Sequence, residues 1–273
     1  MNNLSNIVKK LIPVFCLSLL SLQGFGQEKS GKNSRKEEKR QKIAAAIKSE
    51  EEGVIAYRKQ TAFGLQLRTN GYGLFFELGR MKTPRWSDVY SIELTEIKHP
   101  KEEKSGNING SFNNSFIYGK INNFYAVKLG YGRQYIFGQK GNKNGIAVIG
   151  LAEAGLSLGL LRPYYLDIAD GNDRRAVKYE SADSLLFLGV QPGGAILGSS
   201  GIGKGWDEIK VKPGAFLKLG LRFDFNKYND KLQALQIGFS IEGYGDKIPQ
   251  MAFVKQEQVF YQGHLAFVFG GRK

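Results

Sequence analysis

The chain has 273 residues, a formal net charge of +14 at pH 7 and 42% hydrophobic residues, with 35 glycines and one cysteine. It contains no run of about 20 apolar residues, the length that a transmembrane helix needs, so a helical membrane protein is excluded. The single Cys16 excludes a disulfide scaffold and a cysteine-ligated metal site. We predict neither a cofactor nor a bound metal. The many glycines, with 18 Phe and 13 Tyr, favour strands and turns over helices.

The first 26 residues have the order of a secretory signal peptide. Two lysines precede an apolar stretch over residues 11–22, and Gly24 and Gly26 follow it. A positive segment, a short apolar segment and a small-x-small cleavage site in this order are typical of such signals. We therefore predict export and cleavage after Gly26, which removes the only cysteine.

Residues 27–60 form a basic segment that differs in composition from the rest of the chain. A helix-prone stretch over residues 43–52 ends at Gly53 and carries one weak apolar stripe. One interpretation is a solvated tail. The other is a periplasmic arm with a short helix that binds an anionic surface or a partner protein. The basic residues that we assign to partner binding in this arm are Lys29, Lys32, Arg35, Lys36, Lys39, Arg40 and Lys42.

From residue 61 onward, apolar and polar residues alternate with a period of two, which is the period of a β-strand. Asn70-Gly71, a strong hairpin signal, separates the first two strands. No helix is predicted between the strands. The pattern predicts eight amphipathic strands, over residues 61–69, 72–80, 88–98, 123–137, 145–160, 212–226, 231–246 and 256–270.

The length of these strands and the charges on their polar faces favour a transmembrane barrel over a soluble lipocalin-like barrel or sandwich. A tilted membrane strand needs about 9–11 residues, whereas soluble strands usually have about 5–6. The polar faces are rich in glycine, as a narrow lumen filled by side chains requires. They also carry equal numbers of acids and bases, as expected where each buried charge needs a partner. The predicted lumen charge network comprises Arg68, Glu77, Glu93, Lys128, Glu153, Lys218, Arg222, Glu242 and His264.

The connections between the predicted strands are short at one end and, with the exception of the Asn70-Gly71 turn, long at the other. Outer-membrane barrels have short periplasmic turns and long external loops. We therefore place residues 61–273 in the bacterial outer membrane, with both termini in the periplasm and external loops at 99–122 and 161–211.

The loop 161–211 is too long for a simple connection, although it shows no obvious secondary structure. It contains the apolar stretch 184–190 together with Tyr164, Tyr165 and Trp206, which would be unusual in contact with water alone. Such a loop either folds over the barrel mouth as a lid or docks on another protein. We favour docking and assign the three aromatic residues to partner binding.

Several phrases of the sequence resemble small outer-membrane β-barrels of the Bacteroidota envelope. They are IKHPKE (97–102), VKLGYGRQYIFGQKGNKNG (127–145), LSLGLLRPYYLDI (156–168) and DKIPQMAF (246–253). The resemblance covers residues 61–273 and implies an outer-membrane location and membership of a larger envelope assembly. It implies no catalytic residue.

We expect a non-enzymatic barrel that acts as an accessory or structural component of an outer-membrane protein assembly or secretion complex. Its partners would be outer-membrane lipid and other envelope proteins, and not nucleic acid, because the chain is exported. One alternative is a lipid-modifying barrel enzyme, in which His264 would act with a serine such as Ser240. Another is a narrow pore or ligand-binding barrel, against which the balanced lumen charges argue.

Overall fold

The structure, a computed structural model, divides into two compact units, residues 1–47 and 48–273. In the first unit, residues 37–41 and 43–44 are helical. Within the part of the chain that is described, no helix is long and apolar enough to cross a bilayer. The predicted signal peptide lies outside the described residues. These residues are 37–41, 43–44, 55, 57–105, 115–142, 144–170, 173–180, 183–190, 194–228 and 230–273.

The second unit is built almost entirely of β-strands. A single short helix, Ser184–Phe187, interrupts them within its described residues. In chain order the strands are β1 (Lys59–Arg68), β2 (Gly71–Met81), β3 (Trp86–Ile97), β4 (Lys104–Ser105), β5 (Phe116–Ile117), β6 (Asn122–Gly138), β7 (Ala147–Pro163), β8 (Tyr165–Asp170), β9 (Asp173–Lys178), β10 (Gly194–Ser199), β11 (Lys210–Asp224), β12 (Lys231–Ile248) and β13 (Glu257–Arg272).

Eight of these strands close into an antiparallel barrel, in the order β1-β13-β12-β11-β7-β6-β3-β2. β1 pairs with β13 from Gln60↔Arg272 to Arg68↔His264, so the first and last strands join and the sheet has no open edge. The eight predicted strands and the predicted closure are confirmed, and the strand ends lie within a few residues of their predicted positions. Closure matters because a bilayer offers no partners to unpaired backbone groups.

Alternation along each strand separates an apolar outer wall from a polar lumen. In β1 the outward side chains Phe63, Leu65 and Leu67 are exposed, whereas Gln66 and Arg68 between and after them are buried. The same alternation holds in the other seven barrel strands. The outer wall is therefore mainly apolar and is formed mostly by Leu, Ile, Val, Phe and Tyr side chains.

The lumen is filled in layers. Charged side chains fill the middle of the lumen, hereafter the central layer, and two apolar clusters lie toward its ends. One cluster lies toward the end of the barrel with the long loops, hereafter the long-loop end, and consists of Ile97, Phe124, Ala126, Leu161, Tyr244 and Ile248. The other lies toward the opposite end, hereafter the short-turn end, and consists of Ala62, Phe75, Leu232, Ala234, Ala266 and Val268. Charged side chains share the level of the second cluster, since Glu77 is the register partner of Ala62 and Asp224 that of Ala234.

Residues just before β1 close the short-turn end. Ile55 and Tyr57 pack against Ile136, Ala147 and Ile149 inside the barrel mouth. The backbone N–H of Ile55 donates to Gln139 Oε1 at 2.9 Å. The described residues at the end of the segment predicted as an arm, Ile55 and 57–60, thus belong to the barrel.

The loop between β7 and β11, in which the sequence shows no obvious secondary structure, forms a small folded cap. Strands β8, β9 and β10 form a three-stranded sheet in the order β10-β8-β9, with the helix Ser184–Phe187 against it. Each of these strands has only six residues, so its alternation of apolar and polar side chains is difficult to recognise in the sequence. The cap has its own core, formed by Tyr164, Leu166, Ile168, Val177, Leu186 and Phe187.

Candidate functional site

The central layer of the lumen is organised around Glu93 on β3. Lys128 Nζ lies 2.8 Å from Glu93 Oε1, and Lys218 Nζ lies 2.9 Å from Glu93 Oε2. Arg68 approaches the same carboxylate at 3.8 Å. Lys218 also lies 3.8 Å from Glu153 Oε2. The Glu93 carboxylate on β3 therefore contacts cations from three other strands, β1, β6 and β11.

Glu242 on β12 forms the second centre of this layer. Arg68, Lys128 and Gln262 all donate to its Oε1 atom. The hydroxyl of Tyr244 donates to its Oε2 atom at 3.0 Å. Since Arg68 and Lys128 each contact both Glu93 and Glu242, the two carboxylates and their cations form one connected network.

A third group lies closer to the short-turn end. Arg222 Nη2 lies 2.8 Å from each carboxylate oxygen of Glu77, and Arg222 Nε donates to Gln236 Oε1 at 3.0 Å. Gln236 Nε2 lies 3.2 Å from His264 Nε2. The structure thus brings all nine residues of the predicted lumen network into one buried region, each at most 7% exposed.

The lumen geometry favours a structural role for His264. Its Nε2 atom faces Gln236, whereas the hydroxyl of Ser240 accepts a hydrogen bond from Gln262 Nε2 at 3.0 Å. A Ser–His catalytic pair needs a direct hydrogen bond that is open to substrate. Both residues are instead engaged by glutamines within the filled lumen.

Sequence reasoning missed a further charged cluster at the short-turn end. Arg272 Nη1 lies 2.6 Å from Asp224 Oδ2, and Lys140 Nζ lies 3.7 Å from Asp224 Oδ1. Arg272 Nε also donates to Gln60 Oε1 at 2.8 Å. Asp224 lies two residues after Arg222, and Arg272 lies eight residues after His264, so both point into the lumen. Extending the alternation to the strand ends would therefore have predicted the Asp224–Arg272 pair.

The cap carries a hydrogen-bonded group on its side facing β11. The Tyr165 hydroxyl donates to Glu208 Oε1 at 2.6 Å, and Lys178 donates to Glu208 Oε2. The hydrogen bonds from Lys178 and Tyr165 hold the pKa of Glu208 below its usual value. Hydrogen bonds to Glu180 and Glu208 raise the pKa of Lys178. The group ties β8, β9 and the segment before β11 together.

Asp167 on β8 forms a second polar tie within the cap. It accepts hydrogen bonds from Ser200 Oγ at 2.5 Å and from Arg174 Nη2 at 2.6 Å. Burial alone would raise the pKa of Asp167, but these hydrogen bonds and the charge of Arg174 outweigh it and lower the pKa. Both polar ties of the cap thus involve a carboxylate whose pKa is lowered in the fold.

Four exposed apolar side chains lie at the long-loop end, on connected segments. We call Tyr118, Leu185, Val190 and Phe253 the long-loop patch. The Tyr118 hydroxyl donates to the carbonyl of Leu188 at 3.2 Å, beside the helix that carries Leu185. On its other side, Gly119 O accepts from the backbone N–H of Ala252 at 2.7 Å, next to Phe253.

Phe253 is the most unusual member of this patch. Its side chain is 77% exposed, and its φ of 62° lies in the left-handed region that bulky residues rarely adopt. The left-handed conformation costs free energy, and in the isolated chain the exposed ring gains no packing contacts that would offset this cost. Nothing in the sequence marks this conformation.

The predicted partner-binding residues occupy different places. Tyr164 is buried in the core of the cap, and Tyr165 takes part in the Glu208 group. Trp206 stacks on Tyr125 with ring centroids 6.0 Å apart, and the guanidinium of Arg162 lies 4.9 Å from the centre of the Trp206 ring.

In the basic arm, Lys39 and Arg40 are exposed on the helical segment. The other five predicted arm residues, Lys29, Lys32, Arg35, Lys36 and Lys42, lie outside the described residues.

These features together define a transmembrane β-barrel. The barrel is closed, its outer wall is apolar, and its charged side chains are paired in the lumen. A soluble barrel would place its apolar face inward, so the soluble alternative fails on the direction of the side chains. Across the described ranges, no group of three or more His, Cys, Asp or Glu side chains is placed to hold a metal ion.

No protein-family model matches this sequence, and no curated protein sequence matches it either. The structure is similar to that of Neisserial surface protein A, with 8% identity, a TM-score of 0.41 and coverage of 79% of this chain and 96% of that one. It is also similar to Ail of Yersinia pestis in complex with the heparin analogue sucrose octasulfate, with 11% identity, a TM-score of 0.36 and coverage of 80% and 100%. A further similar structure is the N-terminal barrel domain of Pseudomonas aeruginosa OprF, with 10% identity, a TM-score of 0.33 and coverage of 78% and 98%. Identity this low transfers no ligand and no residue role to this chain.

Proposed function

We propose that this chain is a non-enzymatic outer-membrane barrel that acts as an accessory or structural component of a protein assembly or secretion complex. In this proposal the short-turn end faces the periplasm and the cap faces outward. The asymmetry of the loops supports this orientation, since long loops usually lie outside the cell. The filled lumen supports an anchoring role, because ion pairs that cross the lumen occupy the space that a transported molecule would need.

The long-loop patch is the observation that carries the proposal. Its exposed apolar side chains lie on three segments that hydrogen bonds hold together, and strain at Phe253 keeps one ring directed into water. Exposed apolar clusters of this kind mark surfaces that another protein covers. We therefore assign partner docking to Tyr118, Leu185, Val190 and Phe253, with buried Tyr164 supporting the patch from the core of the cap.

Site-specific photo-crosslinking in intact cells tests this assignment. A photo-reactive phenylalanine analogue at position 253 should yield one discrete crosslinked protein, and Leu185→Glu in the same chain should remove it. The same analogue at Ile146, which is exposed at the short-turn end, provides the matched control. Absence of a crosslink at position 253, or the same product from position 146, would contradict the assignment.

The basic arm is proposed as a second contact, on the periplasmic side. Deletion of residues 29–53 should leave barrel insertion intact, because Ile55 and Tyr57, which close the barrel mouth, are retained. Co-purification of partner proteins in mild detergent should be lost. Unchanged co-purification would remove the arm from the proposal without affecting the patch.

A further inference from the structure

A trough runs along the outer wall near the short-turn end of the barrel. Its floor is β7, where the outward residues are the small ones Gly150, Ala152 and Ala154. Their register partners on the two flanking strands, β6 and β11, are large, namely Tyr131, Arg133, Tyr135, Leu217, Leu219 and Leu221. The resulting groove has a volume of about 590 Å³ and an almost entirely apolar lining.

Aromatic rings build one side of this groove. Trp86 and Tyr135 have ring centroids 4.7 Å apart, and Tyr135 and Phe137 are 5.2 Å apart. The Phe137 ring leans over Gly150, where a Cβ atom would lie only 2.4 Å from Phe137 Cε2. Trp and Tyr prefer the boundary between hydrocarbon and head groups. The groove therefore begins at that boundary and runs into the apolar belt.

A second, polar pocket of about 370 Å³ adjoins the groove and shares Trp86 and Arg133 with it. It contains two cations and one acid. Arg133 Nε lies 3.6 Å from Asp88 Oδ1, and Lys82 Nζ lies 3.5 Å from Asp88 Oδ2. The side chains of Arg133 and Lys82 are 66% and 54% exposed. The pocket thus has an excess of one positive charge and open donors.

We infer that the groove and the polar pocket form one binding site for a single anionic glycerophospholipid. Arg133 and Lys82 bind the phosphate, and one acyl chain lies in the trough over Ala152. The arrangement matches an amphiphile with one charged end, since the polar pocket opens at one end of a hydrocarbon-lined groove. A second protein docked here would bury the one positive charge that Asp88 leaves uncompensated, which is costly.

The position of the two tryptophans allows a direct test. The chain contains only Trp86, in the site, and Trp206, in the segment that follows β10. Trp206→Phe therefore leaves a single reporter in the groove. The protein is reconstituted into phosphatidylcholine vesicles that contain a minor fraction of dibrominated phosphatidylglycerol or, separately, dibrominated phosphatidylcholine, and quenching of Trp86 is measured.

The anionic lipid should occupy the site about fivefold in preference to the neutral lipid, since the pocket has a net charge of one and one positive charge contributes about 1 kcal/mol of attraction to an anionic lipid. Arg133→Gln and Lys82→Gln should each reduce this preference, whereas Arg133→Lys should retain most of it. Lys255→Gln is the control, because Lys255 is an exposed cation in the connection between β12 and β13, at the opposite, long-loop end of the barrel. Its preference should equal that of the parent.

Filling the groove tests the acyl chain separately. Ala152→Phe should lower quenching by the brominated phosphatidylglycerol, whereas Ala215→Phe, at another small outward position on β11, should not. Heat-dependent migration on gels verifies that each variant is folded. Equal quenching by the two lipids in the parent chain would overturn the inference even if every variant failed to fold. An undiminished preference in Arg133→Gln would also overturn it.

Discussion

Arg222 crosses the lumen to Glu77, and its Nη2 atom lies 2.8 Å from each of the two carboxylate oxygens. β11 and β2, which carry these residues, are four positions apart in the closed ring of eight strands. The pair therefore joins opposite walls of the barrel. Both side chains are at most 1% exposed, so neither charge has water as an alternative partner.

Replacing Arg222 with leucine should destabilise the barrel strongly. Glu77 would remain buried without its cation, and breaking a buried pair in this way costs about 3–5 kcal/mol. Urea unfolding in lipid vesicles, followed by tryptophan fluorescence, measures the free energy of unfolding. The double variant Arg222→Leu/Glu77→Leu should recover most of the loss, because no lone charge remains. A double variant as unstable as the single one would contradict this explanation.

The filled lumen predicts that the barrel does not conduct ions. In the central layer, Arg68 and Lys128 contact both Glu93 and Glu242, and apolar clusters lie toward both ends of the lumen. An ion would have to displace these paired charges and pass closely packed side chains. A purified sample in a planar bilayer should show no steady current. A substantial steady current would show that the lumen opens and would revive the pore alternative.

The alternation of residues was enough to predict the fold and the residues that face the lumen. Each barrel strand is long and half-buried, so a shift by one residue would turn every side chain to the wrong face. The particular pairs were not predictable. Whether Arg222 meets Glu77 or Glu153 depends on strand order and stagger around the ring, which a sequence does not display.

The cap shows where alternation failed. Tyr164, Leu166 and Ile168 alternate with Tyr165 and Asp167, and all three are buried. This period-two signal was present, but a six-residue strand inside a long loop is easily taken for irregular chain. The sequence favours a partner surface for the apolar stretch 184–190, whereas Leu186 and Phe187 fill the core of the cap itself. The sequence alone does not distinguish the buried Leu186 and Phe187 from the exposed Leu185 beside them.

Gly64 leaves space for Phe75, a buried ring beside the lumen charges. A Cβ atom at Gly64 would lie 2.2 Å from Cζ of Phe75, its register partner on β2. Phe75 is fully buried, and Lys218 Nζ lies 4.7 Å from its ring centre, so the ring has no space to move aside. Gly64→Ala should therefore cost about 1–3 kcal/mol in the free energy of unfolding.

Gly243→Ala is the matched control for this substitution. Gly243 also lies in a barrel strand, β12, but a Cβ atom there would meet nothing within 4 Å. Its free energy of unfolding should change little. Phe75→Leu in the Gly64→Ala background should restore part of the lost stability by making room. Equal effects of the two glycine substitutions would show that backbone entropy, and not the Phe75 ring, determines the cost.

The cap should loosen at acidic pH while the barrel remains folded. The pKa of Glu208 is lowered in the folded cap by hydrogen bonds from Lys178 and Tyr165. A carboxyl with a lowered folded-state pKa stabilises the fold above its unfolded pKa, and this contribution is lost as pH falls through the folded value. The unfolded value for Glu is about 4.3, so the cap should be stable from about pH 8 to 5 and weaken below about pH 4.

Trp206, two residues before Glu208, reports on this transition in a Trp86→Phe background. Its emission should remain constant down to about pH 5 and shift toward that of exposed tryptophan below about pH 4. Glu208→Gln should reduce the shift to the part contributed by Asp167, whose pKa is also lowered. The control is Asp246→Asn on β12, which removes an exposed ion-pair partner of Lys212 on β11. It should leave the shift unchanged. If Glu208→Gln shows the full acid transition of its parent, the titrating group lies elsewhere and the assigned role of Glu208 is wrong.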